Sequence, residues 1–203
     1  MAAREHPRRR EDRSSGMRRA PEAPDGDAIT SVVRLAPMRR RHLPAVLRIE
    51  RQVYPRPWTM SLYLGELALP ATRDYLVAKV EGRVMGYGGL MTTLDEGHVT
   101  TLAVDPALHG HRLGTRLLLE LCRRAVLRGA TSLTLEVRAS NEVAQALYRT
   151  FGFAPVGVRK NYYPEVNEDA LVMWASDVHE APYATRLAGI EAALPTPNVL
   201  ESR

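Results

Sequence analysis

The stretch TTLAVDPALHGHRLGTRLLLE, from Thr100 to Glu120, predicts a strand, a tight loop and a helix in immediate succession. Its first residues are mostly apolar or β-branched, which is typical of a strand, and the dipeptide Asp105-Pro106 ends that strand. A loop rich in glycine and histidine follows. From Leu113 onward, leucines recur at the spacing of one helix face, so we expect the helix to begin there.

Such a succession can bind phosphate groups. The first N–H groups of a helix have no partner within the helix, and the helix dipole places partial positive charge there. Gly110 and Gly114 would let a phosphate approach the backbone, while Arg112 and Arg116 would add full charges. Many α/β proteins use the same turn for packing alone, so the segment by itself leaves both interpretations open.

The composition predicts a globular protein with one domain of ordinary size. The chain has 203 residues, of which 45% are hydrophobic and 25% are charged. The single cysteine, Cys122, excludes an internal disulfide framework, and its place on the apolar face of the predicted helix indicates a buried, inert thiol. No apolar run approaches the roughly 20 residues of a membrane span, and no apolar segment follows the basic N-terminus. We therefore expect a cytoplasmic protein that binds no membrane.

The predicted domain spans residues 31–175, with a segment on either side. Residues 1–30 carry much of the excess positive charge that gives the chain its net charge of +5. Their composition predicts a disordered basic tail. Such a tail could dock on RNA, but no aromatic residue accompanies its charges, so we favour a solvated tail and expect no other nucleic-acid contact. The C-terminal extension, residues 176–203, is expected to be loosely structured, with a short helix near Thr185–Ala193.

Outward from the central segment, the patterns predict further helices and strands. Before it we expect a strand, two helices and a hairpin: Ser31–Leu35, Arg39 to about Val53, Thr59 or Ser61 to about Leu69, and Asp74–Val80 with Val84–Met91. After it we expect a strand, a short helix and two strands: Ser132–Val137, Ser140 or Asn141 to about Phe151, Phe153–Val158 and Ala170–Trp174. This order predicts an α/β fold with a mixed, mostly antiparallel sheet of about seven strands and helices on both faces.

Glu136 is a carboxylate within an otherwise apolar predicted strand, in the run LTLEVRASN from Leu133 to Asn141. A carboxylate in such a place is usually exposed or paired, for instance with Arg138 on the same side of the strand. It could also serve in catalysis. The chemistry of the residue alone leaves these alternatives open.

Two of these segments resemble the GNAT acetyltransferases. The central one resembles their acetyl-CoA-binding motif, in which a strand ending in AV-x-P runs into a Q/R-x-x-G-x-G/A loop. Here the loop reads HGHRLG, with Gly114 matching the last glycine and with His109 and Arg112 replacing the first residue and the middle glycine. The second segment, LEVRASNEVAQALYRTFGF from Leu135 to Phe153, is similar to the protein N-terminal acetyltransferases, especially the bacterial ribosomal-protein alanine N-acetyltransferases. The predicted element order over residues 31–175 also resembles the GNAT fold.

The resemblance implies acetyl-CoA as co-substrate and roles for individual residues. It makes Glu136 the general base and Tyr148 the general acid. The resemblance also places the thioester of acetyl-CoA along the backbone of Leu102, Ala103 and Val104. This segment resembles the bulged central strand of the family, whose N–H groups stabilise the carbonyl oxygen of the thioester. The other residues that it places at the cofactor are Gly110, His111, Arg112, Leu113, Gly114, Thr115 and, in addition to its helix-capping role, Asn141.

For the acceptor, the resemblance implies a groove lined by aromatic residues. The run YPRPW resembles a loop that closes over the peptide in the bacterial enzymes, so Tyr54 and Trp58 are expected at the substrate. Tyr162 and Tyr163 resemble paired tyrosines that help to hold the substrate N-terminus. His98 could line the same groove, but we expect it to be structural or solvent-exposed.

The resulting hypothesis is acetyl transfer to the N-terminal α-amine of a protein, and the resemblance points to the N-terminal alanine of a small-subunit ribosomal protein. Deprotonation at pH 7 costs about 1.4 kcal/mol for an α-amine and about 4.6 kcal/mol for a lysine, so one carboxylate base suffices more easily for the α-amine. Two alternatives stay open: a GNAT enzyme acting on a lysine or a small amine, and a non-catalytic module that binds acetyl-CoA or docks on the ribosome. No metal is expected, because His109-Gly110-His111 has no carboxylate or cysteine ligand at metal spacing.

Overall fold

The computed structural model describes residues 32–201 as eight strands and five α-helices arranged around one sheet. The helices are α1 Leu43–Val53, α2 Met60–Leu67, α3 Leu113–Leu127, α4 Glu142–Thr150 and α5 Ala181–Ala192. The strands are β1 Val33–Pro37, β2 Arg73–Val80, β3 Arg83–Thr93, β4 Glu96–Val104, β5 Ser132–Arg138, β6 Ala154–Tyr163, β7 Glu168–Ala175 and β8 Val199–Leu200. The tail predicted over residues 1–30 lies outside the described residues, as does Ser31 of the predicted first strand.

The strands lie in the order β6-β7-β5-β4-β3-β2-β1-β8. Neighbouring strands are antiparallel except for two parallel pairs, β4 with β5 and β1 with β8. The predicted mixed, mostly antiparallel sheet is therefore confirmed. The described strands exceed the predicted number because the two-residue β8 joins the edge of the sheet.

Helices cover both faces of the sheet, as predicted. Strand β2 shows this clearly, because neighbouring side chains of a strand point to opposite faces. Leu76 and Ala78 pack in the core that contains α3 and α5, whereas Tyr75 and Val77 pack in a second core that contains α1 and α2. Burial on both faces explains why the sequence of β2 is almost continuously apolar.

The C-terminal extension is folded, so the prediction that it is loosely structured is wrong. Helix α5 begins at Ala181 rather than near Thr185, and it buries Tyr183 and Leu187 against the core that contains α3. The following segment is held by Arg116 of α3, whose side chain is only 1% exposed. Its guanidinium donates to the carbonyl and hydroxyl oxygens of Thr196 at 2.7 and 2.9 Å, and to Asn198 Oδ1 at 2.8 Å. These contacts join residues far apart in sequence, which local periodicity does not reveal.

Two irregularities of β4 open the centre of the sheet. Gly89 pairs with Thr101 and Leu90 pairs with Val99, so Thr100 is an extra residue that forms a β-bulge. The parallel pairing of β4 with β5 ends at the pair of His98 and Thr134. Beyond this pair the two strands separate and leave a space between them.

Candidate active site

A cavity of about 180 Å³ lies where β4 and β5 separate. Its walls come from α1 and the loop after it, from β4 and β5, from α4 and from β6. All six residues predicted for catalysis and for peptide binding line this cavity: Tyr54, Trp58, Glu136, Tyr148, Tyr162 and Tyr163. The fold therefore brings together, around one space, residues that are far apart in the sequence.

Glu136 lies at this cavity with both carboxylate oxygens engaged. Its Oε2 atom is 2.8 Å from Nε2 of His98, and its Oε1 atom is 3.0 Å from Nη2 of Arg159. The hydrogen bond with His98, helped by the charges of His98 and Arg159, holds the pKa of Glu136 below its ordinary value although burial opposes this. The carboxylate is therefore ionised at neutral pH and can attract a substrate ammonium group.

Glu136 is paired, which is one of the alternatives expected for a carboxylate in such a strand, but its partners lie on other strands. Arg138, the example given for a partner on the same strand, directs its guanidinium towards the carbonyl oxygen of Val53, at 3.5 Å. His98, expected to be structural or solvent-exposed, has a side chain that is 25% exposed and contacts the carboxylate of Glu136. This contact forms where the pairing of β4 with β5 ends.

Tyr148 places an available hydroxyl group at the cavity. The residue is buried, and its ring packs edge-on against Phe153 with centroids 6.0 Å apart. Within residues 32–201, its hydroxyl has no hydrogen-bond partner, and it is not sealed away from the cavity. Burial, and then the nearby Tyr54 and Tyr163, raise the pKa of Tyr148, so the phenol stays protonated at neutral pH. A protonated, unengaged hydroxyl can donate a proton to a leaving group.

The loop after α1 is fastened to the cavity by Glu50, a residue that the sequence analysis did not single out. Its Oε2 atom accepts the backbone N–H of Trp58 at 3.2 Å, and its Oε1 atom accepts the hydroxyl groups of Tyr63 and Tyr87. The side chain is 1% exposed. The sequence did contain a signal for this role, because Glu50 lies on the apolar face of α1. A carboxylate buried on such a face requires several hydrogen-bond donors.

Aromatic side chains enclose the rest of the cavity. Tyr54 donates its hydroxyl hydrogen to the carbonyl oxygen of Leu102 at 2.9 Å, which ties the loop after α1 to β4. Tyr162 and Tyr163 pack edge-on with centroids 5.1 Å apart, and burial raises the pKa of Tyr163 to about 12. At the mouth, Arg56 lies 3.4 Å from Glu165 of the turn after β6, so an ion pair spans the two loops.

The predicted cofactor residues lie along the end of β4 and at the start of α3. Leu102 lines the cavity, and Ala103 and Val104 continue β4 where it no longer pairs with β5. Helix α3 begins at Leu113, as predicted, and no side chain caps its N-terminus. In the described part of the chain, no acceptor meets the backbone N–H groups of Leu113, Gly114 or Thr115. These three groups can therefore bind an anion.

The loop before α3 is open to a ligand, although one predicted charge is absent from it. Gly110 has φ +81°, and a β-carbon there would meet nothing within 4 Å. His111 carries a buried Nδ1 atom without a partner among residues 32–201, and Arg112 is exposed. The expectation that Arg116 adds its charge here is wrong, because its guanidinium holds the C-terminal segment. Asn141 caps α4 by accepting the N–H of Ala144 at 3.1 Å.

A second cavity, of about 230 Å³, contains none of the predicted residues. Charged side chains that are already paired line it, including Glu66 with Arg73 and Asp74 with Arg124. Across the described residues there is no cluster of three or more histidine, cysteine, aspartate or glutamate side chains that could hold a metal ion. None of the helices within residues 32–201 is long and apolar enough to cross a membrane.

Comparison with known proteins identifies the family of this chain. Residues 43–153, more than half of the chain, match the Acetyltransferase (GNAT) family. A Bacillus subtilis (strain 168) protein named putative [ribosomal protein bS18]-alanine N-acetyltransferase is 39% identical over 142 residues, which is 68% of this chain and 92% of that protein. The N-alpha-acetyltransferase RimI of Mycobacterium tuberculosis is 37% identical over 152 residues, covering 72% of this chain and 94% of its own.

Two solved structures also resemble this chain in their fold. The crystal structure of the ribosomal-protein-S18-alanine N-acetyltransferase from Escherichia coli superposes with a TM-score of 0.66 at 30% identity, covering 72% of this chain and 94% of that chain. Ard1 from Thermoplasma volcanium has the same fold, with a TM-score of 0.66 at 23% identity over 71% of this chain and 97% of that chain. The chain therefore belongs to the GNAT family of acetyltransferases and is an acetyl-CoA-dependent acyltransferase.

Proposed function

We propose that this enzyme transfers the acetyl group of acetyl-CoA to the N-terminal α-amine of a protein. The observation that supports this most directly is that the carboxylate of Glu136 and the available hydroxyl of Tyr148 face one cavity where β4 and β5 separate. Relatives that are named as alanine N-acetyltransferases of ribosomal protein bS18 support the N-terminal alanine of that protein as the acceptor.

The start of α3 fits the pyrophosphate of acetyl-CoA. Three backbone N–H groups are available there, from Leu113 to Thr115, and the helix dipole favours negative charge at this end. The open backbone at Gly110, the polar His111 and the exposed Arg112 complete the loop that would bind the phosphates. The thioester would then lie along residues 102–104 of β4, with Asn141 at the start of α4 beside it.

Glu136 and Tyr148 divide the proton transfers between them. Acetyl-CoA supplies an activated acetyl group whose leaving group is a thiolate. Glu136 accepts a proton from the substrate ammonium through a water molecule, and the neutral amine then bonds to the carbonyl carbon as the carbon–sulfur bond breaks. Tyr148 donates its proton to the departing sulfur, and the second proton that the nitrogen loses as the amide forms returns to the oxygen of Tyr148. General acid–base catalysis of this kind typically contributes about 10²- to 10⁴-fold in rate.

The electrostatics of the site favour an α-amine over a lysine side chain. A carboxylate whose pKa is lowered is a weak base. Such a base removes a proton more readily from an α-ammonium group, with a pKa near ~8, than from a lysine near ~10.4.

Mass spectrometry with two peptides tests this function. One peptide carries the free N-terminal alanine of bS18 and no lysine, and the other has a blocked N-terminus and one internal lysine. After incubation with acetyl-CoA, we expect acetylation of the first peptide alone, and loss of that product with Glu136→Gln. Acetylation of the second peptide alone would replace the proposal with a lysine acetyltransferase. Binding of acetyl-CoA without acetylation of either peptide would reject both.

A further inference from the structure

The solvent-exposed side of α1, with the turn before it and the loop after it, carries positive charge without negative charge. Between Arg39 and Arg56, the exposed residues are six arginines, two prolines and one glutamine: Arg39, Arg40, Arg41, Pro44, Arg48, Arg51, Gln52, Pro55 and Arg56. Glu50 is the one acidic residue of this segment, and it is buried against the hydroxyl groups of Tyr63 and Tyr87. We call the six arginines the α1 basic face.

Four of the six arginines are not neutralised by a carboxylate. Arg48 pairs with Asp105 at 3.1 Å, and Arg56 pairs with Glu165 at 3.4 Å. The others form no ion pair within residues 32–201: Arg39, Arg40, Arg41 and Arg51. Cations that share one face add their fields, and such a surface attracts a polyanion from solution. The α1 basic face therefore fits a ligand with several negative charges in a row.

The α1 basic face extends to the mouth of the cavity. Helix α1 ends at Val53, and the next residue, Tyr54, lines the cavity. The 11 residues of α1 extend about 16 Å at 1.5 Å per residue. Because each strand of a nucleic-acid duplex carries one phosphate about every 3.4 Å of its axis, a face of this length can contact several phosphates. A polyanion on this face would lie beside the opening through which the acceptor enters.

RNA fits this face better than other polyanions. Guanidinium groups pair well with phosphate oxygens. A helix that binds a membrane surface presents apolar side chains to the lipid, whereas the exposed uncharged residues here are Pro44, Gln52 and Pro55. The proposed acceptor is a ribosomal protein, and ribosomal proteins assemble on RNA. An acidic protein would supply carboxylates, but it has no connection with this acceptor.

We propose that the α1 basic face binds the phosphate backbone of RNA, so that the enzyme acetylates an acceptor that is attached to RNA. The choice of RNA rests on the proposed function. Composition alone allowed RNA contact at the N-terminal tail, and the α1 basic face adds a second place. Contacts with phosphates are electrostatic, so binding should depend on salt and not on base sequence.

Fluorescence anisotropy with a labelled RNA of uridines tests this face directly. Arg41→Glu combined with Arg51→Glu in the full chain should weaken RNA binding roughly tenfold or more at a fixed salt concentration. The slope of log Kd against log salt should fall by about 1.4, because each lost contact with a single strand removes about 0.7. Arg149→Glu combined with Arg186→Glu makes the same change of charge on α4 and α5, which pack on the other face of the sheet. This control should lose less than about threefold.

Acetylation assays connect the face with the acceptor. A free peptide with an N-terminal alanine should be acetylated equally by the wild type and by Arg41→Glu with Arg51→Glu, which also shows that the variant is folded. When the same peptide is joined through its C-terminus to the RNA, the kcat/KM of the variant should be roughly tenfold below that of the wild type.

Each other outcome is decisive. Equal losses of RNA binding in the two double variants would show that net charge alone matters, and would reject the α1 basic face. Wild-type binding to polyglutamate, or to vesicles of phosphatidylglycerol, that is as tight as binding to the RNA would reject RNA as the partner. Acetylation of the free peptide without an effect of the variant on RNA binding would reject this inference and leave the proposed function standing. Loss of RNA binding in the variant, with no acetylation of any peptide by the wild type, would reject the proposed function and keep the face.

Discussion

Nη2 of Arg159 in β6 lies 3.0 Å from Oε1 of Glu136 in β5, although β7 separates the two strands in the sheet. The guanidinium reaches over β7, and it is 56% exposed whereas the carboxylate is 8% exposed. Together with His98, it holds the carboxylate of Glu136 in an ionised, oriented state. This arrangement places an anionic carboxylate where the proposed reaction requires a proton acceptor.

Replacing Glu136 with glutamine should remove the base while keeping the shape of the side chain. We expect kcat to fall by roughly 10²-fold or more, with little change in the affinity for acetyl-CoA, because Glu136 is not among the residues that fit the phosphates. Release of the CoA thiol gives the rate, and calorimetry gives the affinity. Glu180→Gln, at an exposed position before α5, is the matched control. A Glu136→Gln enzyme with wild-type kcat would exclude the assigned role.

Tyr148→Phe should lower kcat by about 10²-fold, because it removes the proposed proton donor. Its stability should stay within about 0.5 kcal/mol of the wild type, since the hydroxyl has no partner to lose. Tyr183→Phe makes the same change at a buried hydroxyl outside the cavity, beside Cys122. It should keep full activity. Equal activities of the two variants would contradict the role of Tyr148.

Glu50→Gln should weaken the attachment of the loop after α1. A glutamine can still accept from the hydroxyl groups of Tyr63 and Tyr87, but its NH₂ group cannot accept the N–H of Trp58. Since a partly buried donor then loses its acceptor, the free energy of unfolding should fall by about 1 kcal/mol. The KM for the peptide should rise several-fold while the KM for acetyl-CoA stays constant. Urea denaturation and steady-state kinetics measure these effects, and an equal rise in both KM values would argue against a specific effect on the loop.

The lowered pKa of Glu136 also predicts a pH dependence of stability. A group whose pKa is lower in the folded state contributes stability above its unfolded value, near ~4.3, and this contribution is lost as the pH falls through the folded value. The difference in unfolding free energy between the wild type and Glu136→Gln should therefore be larger above pH ~4.3 than below it, and it should shrink as the pH falls below that value. Urea denaturation at several pH values measures it. A difference that grows as the pH falls would show that folding raises the pKa of Glu136 instead of lowering it.

Ending the chain after Leu194 should destabilise the protein through Arg116. The truncation removes Thr196 and Asn198 and leaves a buried guanidinium without its three acceptor atoms. We expect a loss of about 3 kcal/mol in the free energy of unfolding, because a buried charged group without hydrogen bonds is costly. In an Arg116→Met background, the same truncation should cost less. Equal costs in the two backgrounds, measured by chemical denaturation, would exclude this explanation.

Several predictions from the sequence are confirmed because their signals are local. The recurring leucines place the start of α3 at Leu113, and the side chains of Thr59 and Asn141 cap α2 and α4 by accepting nearby N–H groups. The apolar strands and the order of elements give the mixed sheet with helices on both faces. Resemblance to a family then identified six residues that the fold gathers around one cavity, and their individual roles stay predictions.

The sequence by itself determined most of the helices and strands before residue 176, since periodicity, capping residues and turn residues act over a few neighbouring positions. The tertiary structure decided which side chains meet. It brought His98 to Glu136, buried Arg116 against the C-terminal segment, and made Glu50 the anchor of a loop. The physical reason is that these contacts depend on strand order, on the bulge at Thr100 and on the separation of β4 from β5. Each of those features arises from the packing of the whole sheet.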